Sequence, residues 1–141
     1  MIRTDLPRTH MAVVPVNTLD ARTRSALDVA ASLAPGVLAI HVRDVSASAG
    51  DLEARWPHEA PGVPLCIIEP ASHGWRAAFL RAIDKLRTTR AVEVVTVVLP
   101  REQRGMNQRR LGWRVSGRDK LRLSLALRPR VAVVTDSGPG V

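Results

Sequence analysis

The sequence predicts a doubly wound α/β domain with a five-stranded parallel sheet, and three observations lead there. Five short apolar runs rich in β-branched residues, MAVVPV, VLAIHV, PLCIIE, VEVVTVVL and VAVVT, recur along the chain. Each reads as a strand buried on both faces, because it is continuously apolar rather than alternating. Segments with helical periodicity separate them, so the order β-α-β-α-β-α-β-α-β follows, with right-handed crossovers. The 141 residues, 45% of them hydrophobic, suffice for one domain with a real core.

Residues 1–10 carry mixed charge and Pro7 without periodicity and are expected to be an arm or linker, with the domain spanning 11–136 and a Gly/Pro tail at 137–141. The first strand, Met11 to Val16, contains Pro15, which places its carboxyl end near Asn17 and Thr18. Either of these can cap the next helix, whose expected apolar stripe is Leu19, Ala26, Leu27, Ala30, Ala31 and Leu33 and whose polar face is Arg22, Arg24 and Asp28. Pro35-Gly36 ends it.

The second strand, Val37 to Val42, leads into Arg43-Asp44 and a small-residue loop. A short helix from Asp51 is expected to stop at Trp56-Pro57, since Pro disfavours helical geometry in the residue before it. Within the third strand, Pro64 to Glu69, the single Cys66 reads as a small buried hydrophobe. Ser72 caps a helix with Trp75, Phe79, Ile83 and Leu86 on one face and Arg76, Arg81, Asp84 and Arg87 on the other. The fourth strand, Val92 to Leu99, ends at Pro100, and the fifth is Val131 to Thr135. Between them, residues 121–127 (LRLSLAL) alternate as a strand would, but a helix over 117–127 is preferred. Leu and Ala favour helix, and two parallel strands need a crossover.

Charge singles out one stretch. Residues 101–130 hold ten Lys and Arg against Glu102 and Asp119, an excess of eight, which equals the net charge of the whole chain. Positive potential is therefore concentrated there. Ligands of open parallel sheets bind beyond the carboxyl ends of the strands where strand order reverses, and with the order 3-2-1-4-5 that crevice lies between strands one and four. Asn17-Thr18 and the loop opening at Arg101 would wall it, with His41 and Arg43 as neighbours. An Arg-rich loop with Gly112, Ser116 and Gly117, leading to a helix N-terminus, suits the phosphates of a nucleotide-sized ligand. The candidate phosphate contacts are Arg101, Arg109, Arg110, Arg114 and Arg118, and Asn17, Thr18, His41 and Arg43 would lie near a base or ribose. The competing reading is a solvated loop, or one that faces an acidic partner or lipid headgroups. Trp113 either stacks on a base or covers the sheet edge, and His41 ends an apolar strand as a hydrogen-bonded structural residue would.

Several function classes are not expected. The sequence has no G-x-G-x-x-G, Walker, H-E-x-x-H or nucleophile-elbow motif, and the tetrapeptide 41–44 (HVRD) ends a strand without other kinase elements, so no enzyme and no cofactor are expected. His10, His58 and His73 lack metal-ligand spacing. Aromatic residues make up 3% with no Tyr, too few for a base-stacking platform, so nucleic acid is not the expected partner. No apolar stretch approaches a membrane span, and the N-terminus lacks a signal-peptide h-region. With a lone cysteine, a cytoplasmic domain is expected.

With these landmarks in order, the chain resembles the universal stress protein-like fold and, more closely, the cytoplasmic C-terminal domain of bacterial APC-superfamily amino-acid and cation permeases. The resemblance runs from His10 to Asp136 and rests on residues 10–17 (HMAVVPVN), the helix around 23–31, residues 39–42 (AIHV), Trp56 before residues 63–65 (VPL), residues 94–100 (VVTVVLP), and residues 121–129 (LRLSLALRP) before the last strand. It implies a 3-2-1-4-5 sheet, a homodimer paired through the edge of the last strand, and a permease as partner at the cytoplasmic face of the membrane. It also implies regulation by cyclic di-AMP, which inhibits some members, including potassium importers, through this domain; its two bases and two phosphates would need a two-fold site at a dimer interface. ATP is less expected. Universal stress proteins that bind ATP carry Asp at the end of strand one and G-x-x-G-x9-G-[ST] after strand four, whereas this chain has Asn17 there and Gln108 where the second Gly belongs. Only Ser116-Gly117 echoes that motif. A module that docks to the permease or to an anionic membrane surface, without a small ligand, is one alternative, and a free-standing basic nucleic-acid-binding protein is a weaker one.

Overall fold

Five parallel strands in the order β3-β2-β1-β4-β5 form the centre of the molecule. The computed structural model describes residues 10–43, 49–69, 74–89, 92–100, 121 and 124–136. In chain order the elements are β1 (His10–Pro15), α1 (Ala21–Leu33), β2 (Gly36–Val42), α2 (Ala49–Glu59), β3 (Leu65–Ile68), α3 (Trp75–Thr89), β4 (Val94–Leu99) and β5 (Val131–Thr135). The expected strand order is thus observed, with every strand close to its expected bounds. β1 occupies the middle, and its Ala12, Val13 and Val14 are wholly buried there.

The two faces of the sheet bury different kinds of side chain. On one face Val13, Leu38, Ile40 and Val97 pack with Phe79, Ile83 and Leu86 of α3 and with Leu121 and Leu125. On the other, Ala12, Val14, Ala39 and Val98 meet Ala26, Leu27 and Ala30 of α1 and Leu52 and Trp56 of α2. Small side chains predominate on the second face, which lets α1 lie close to the strands. The indole N–H of Trp56 donates to the Val63 carbonyl at 2.7 Å, so this large side chain is buried without losing its hydrogen bond.

Between β4 and β5, Leu121 and residues 124–126 are helical. Leu121 and Leu125, one helical turn apart, are 1% and 0% exposed, whereas Leu127 is 76% exposed. Helical spacing governs burial here, not the two-residue alternation. Arg128 then closes the segment onto α3 with a bidentate pair, Nε to Asp84 Oδ1 at 2.8 Å and Nη2 to Oδ2 at 3.1 Å. This hydrogen bond raises the Arg128 pKa still further above its ordinary value.

Four details differ from the sequence expectation. The cap of α1 is Asp20, not Asn17 or Thr18: its Oδ1 accepts from the Thr23 N–H at 3.0 Å. Ala31 and Leu33 are exposed, Leu33 at 43%, because α1 meets the sheet through the narrower stripe Thr23, Ala26, Leu27 and Ala30. Pro57 lies inside α2 and does not stop it, for the helix ends two residues later and Ala60 N–H still reaches the Trp56 carbonyl at 2.8 Å. Cys66 is exposed, because β3 is an edge strand that the helices do not seal. Ser72 as a cap lies outside the described residues, as do the arm at 1–9 and the tail at 137–141.

Candidate functional site at the carboxyl edge

The crossover pattern puts the reversal point between β1 and β4. The chain moves outward on one side from β1 to β2 and β3, then returns over the sheet to β4 and continues to β5. α1 and α2 lie on one face and α3 on the other, so the carboxyl ends of β1 and β4 are left between diverging connections. Asn17 and Thr18 follow β1 at this place, and Leu99-Pro100 reaches it from β4.

The local hydrogen bonds explain why the chain opens there. Val16 N–H donates to the Ile40 carbonyl at 2.9 Å, which keeps the backbone extended one residue past β1 and pushes the turn onto residues 17–19. Thr18 is exposed, and its hydroxyl donates to Asp20 Oδ2 at 3.3 Å. Asp20 therefore uses both carboxylate oxygens within the turn. Its negative charge already complements the N-terminus of α1, which is consequently not an open anion site. On the far side, Asp136 N–H donates to the Leu99 carbonyl at 2.9 Å, and the Asp136 side chain is buried at the end of β5. Asp20 and Asp136 both belong to this edge. For Asp20 the signal in the sequence was its position three residues before Thr23 in a capping pattern. For Asp136 the only signal was its place directly after the last apolar run.

His41 and Arg43 sit one strand further out. His41 is 1% exposed and its Nδ1–H donates to the Val16 carbonyl at 2.9 Å, while its Nε2 has no hydrogen-bond partner among the described residues. The ring thus clamps β2 to the end of β1 from inside the α1/α2 layer. Arg43 N–H extends the β2·β3 ladder to the Ile68 carbonyl at 2.8 Å, and its guanidinium pairs with Glu69 at 3.3 Å, on the side of β2 away from β1. Of the expected site residues, Asn17 and Thr18 are therefore brought to the reversal point. His41 supports it from below, and Arg43 is tethered toward β3. Arg101, Arg109, Arg110, Trp113, Arg114, Ser116 and Arg118 lie outside the described residues. Among the described residues no cluster of His, Cys, Asp or Glu could hold a metal ion, and no helix is long and apolar enough to cross a membrane.

Residues 8–136 match the family model described as the KimA potassium transporter C-terminal domain. The chain belongs to this family. The matched span contains every strand and helix of the KimA C-terminal domain fold described above, from His10 of β1 to Asp136 beyond β5. Among curated proteins none matches the chain significantly. The expected association with a membrane permease thus stands at the level of a transporter's C-terminal domain, and the transporter in the family description is one for potassium.

Proposed function

We propose that the chain is a cytoplasmic, non-catalytic regulatory domain of a potassium transporter that senses a nucleotide at the carboxyl edge of β1 and β4. Cyclic di-AMP is the leading ligand and ATP the lesser one. The observation that carries this reading is the coincidence of two features. β4 delivers the chain to the reversal point at Leu99-Pro100, and the next residue opens the segment that holds the entire positive excess of the protein. Because Asp20 already satisfies the N-terminus of α1, the cations for phosphate would come from Arg101, Arg109, Arg110, Arg114 and Arg118. Asn17 and Thr18 would meet the base or ribose. A ligand with two bases and two phosphates calls for a two-fold site, which fits a homodimer formed through the outer edge of β5.

Isothermal titration of the 141-residue chain with cyclic di-AMP and with ATP tests this. Saturable heat with cyclic di-AMP that is lost on replacing Arg109 and Arg110 by Glu supports it. No heat with either nucleotide, at protein concentrations well above micromolar, would end the nucleotide reading. The same charge excess supports a second reading, docking to an anionic membrane surface. Its mark is co-sedimentation with anionic but not neutral vesicles that collapses as salt is raised.

A further inference from the structure

At the opposite side of the sheet from β5, α3 leaves the outer strand β3 unsealed, and a groove of about 400 Å³ opens between them. Its floor is apolar, made by Leu38 and Ile40 of β2 and Ile68 of β3, and the small side chains of Ala78 and Ala82 on α3 give it its width. Arg81 and Lys85, one helical turn apart and both exposed, stand on its rim. The described acids near it, of which Glu69 itself lines the groove, are engaged by other cations. Glu69 pairs with Arg43 at 3.3 Å, and Asp84 is held by Arg128 at 2.8 Å. Among the described residues neither Arg81 nor Lys85 has an ion-pair partner. Among the described residues, an apolar trough thus lies under two cations that no acid pairs with.

We propose that this groove is a binding site for a small single-chain amphipathic anion, an acyl carboxylate whose tail lies on the Leu38, Ile40 and Ile68 floor and whose headgroup meets Arg81 and Lys85. Charge selects an anion, and the apolar floor selects a hydrocarbon body over a sugar or nucleotide. Size selects one short chain. Ligand pockets run from roughly 300 to 1,000 Å³, and this one lies near the lower end, too small for a two-chain lipid. The site is independent of the carboxyl edge of β1 and β4, so nucleotide binding and acyl binding stand or fall separately.

Cys66, the single cysteine of the chain, lines the groove and is exposed, so its reaction with N-ethylmaleimide reports occupancy. Decanoate, kept below its aggregation threshold and at about ten times its dissociation constant, is expected to slow that reaction roughly tenfold. Decylamine, with the same tail and the opposite charge, is expected to leave the rate unchanged. Replacing Arg81 and Lys85 together by Glu, both at exposed positions, should abolish the protection by decanoate without changing the melting temperature, and Ala82→Phe should abolish it by filling the trough. Absence of protection by decanoate would overturn the proposal, as would protection that survives the double charge reversal. Equal protection by decylamine would also overturn it and mark a generic apolar patch of the kind a partner helix covers. Labelling that slows with protein concentration alone, alongside a doubling of mass, would overturn it in favour of a second copy of the chain.

Discussion

Leu125 and Leu127 are two residues apart, yet one is wholly buried and the other almost wholly exposed. Leu125→Ala is therefore expected to cost about 2–5 kcal/mol, and Leu127→Ala no more than about 0.5 kcal/mol, read as shifts of the urea midpoint at constant slope. Similar losses for both would mean that the segment pairs as a strand. The alternating sequence of this segment could not decide the matter alone, and the choice of helix rested on the helix preference of Leu and Ala and on the need for a crossover. At Cys66 the same style of reading failed. A four-residue apolar run looks identical whether it is central or at an edge, and only the strand order reveals that β3 has one flank open. His41 was legible as a hydrogen-bonded structural residue, though its partner, the Val16 carbonyl, is 25 residues away and invisible to any local pattern.

At the scale of elements, α1 depends on its cap and on one carboxylate shared with α2. Asp20→Ala should destabilise the chain by about 1 kcal/mol, within the range of roughly 0.5–2 kcal/mol for lost N-caps, whereas Asn17→Ala should leave α1 intact. Thermal melts of the two variants separate these outcomes. The sequence reading offered Asn17 and Thr18 and missed Asp20, because the choice depends on where the backbone leaves β1. The Val16 to Ile40 hydrogen bond settles that, and it is a contact between strands. Glu59 joins α2 to α1: it accepts from Arg55 Nε at 2.7 Å, one turn away on the same helix, and pairs with Arg24 of α1. The Arg55 hydrogen bond first, helped by the charges of Arg55 and Arg24, lowers the Glu59 pKa below its usual 4.5. A carboxyl so lowered in the folded state stabilises it fully above pH 4.5 and loses that contribution as pH falls through the folded value. The stability gap between the wild type and Glu59→Gln should accordingly narrow on acidification below pH 4.5. A gap that stays constant or widens there would rule out the linkage.

At the scale of the whole molecule, the sheet order was legible because five apolar runs and four connections leave few right-handed arrangements, while the candidate site was legible mainly as an address. Asn17 and Thr18 arrive where the strand order says they must, but the roles of His41 and Arg43 depend on partners in neighbouring strands. The outer edge of β5 bears on assembly. Ala132 is exposed on this strand, so Ala132→Arg leaves the core untouched. If the chain pairs through β5, the wild type sediments as a dimer and this variant as a monomer of unchanged melting temperature; a monomeric wild type would remove the pairing. The β1·β4 ladder carries a last consequence. Ala12 pairs with Val37 of β2 only 25 residues along the chain, but it meets Thr96 of β4 across more than 80. Pairings so remote in sequence carry the largest loop-closure entropy and slow folding most. The domain is consequently expected to assemble from two sequence-local halves, β1-β2-β3 and β4-β5, joined along one seam. That seam ends at the candidate crevice, so the nucleotide proposed for it would act as a staple across the joint expected to form last, and its binding is expected to slow the opening of the β1·β4 amides.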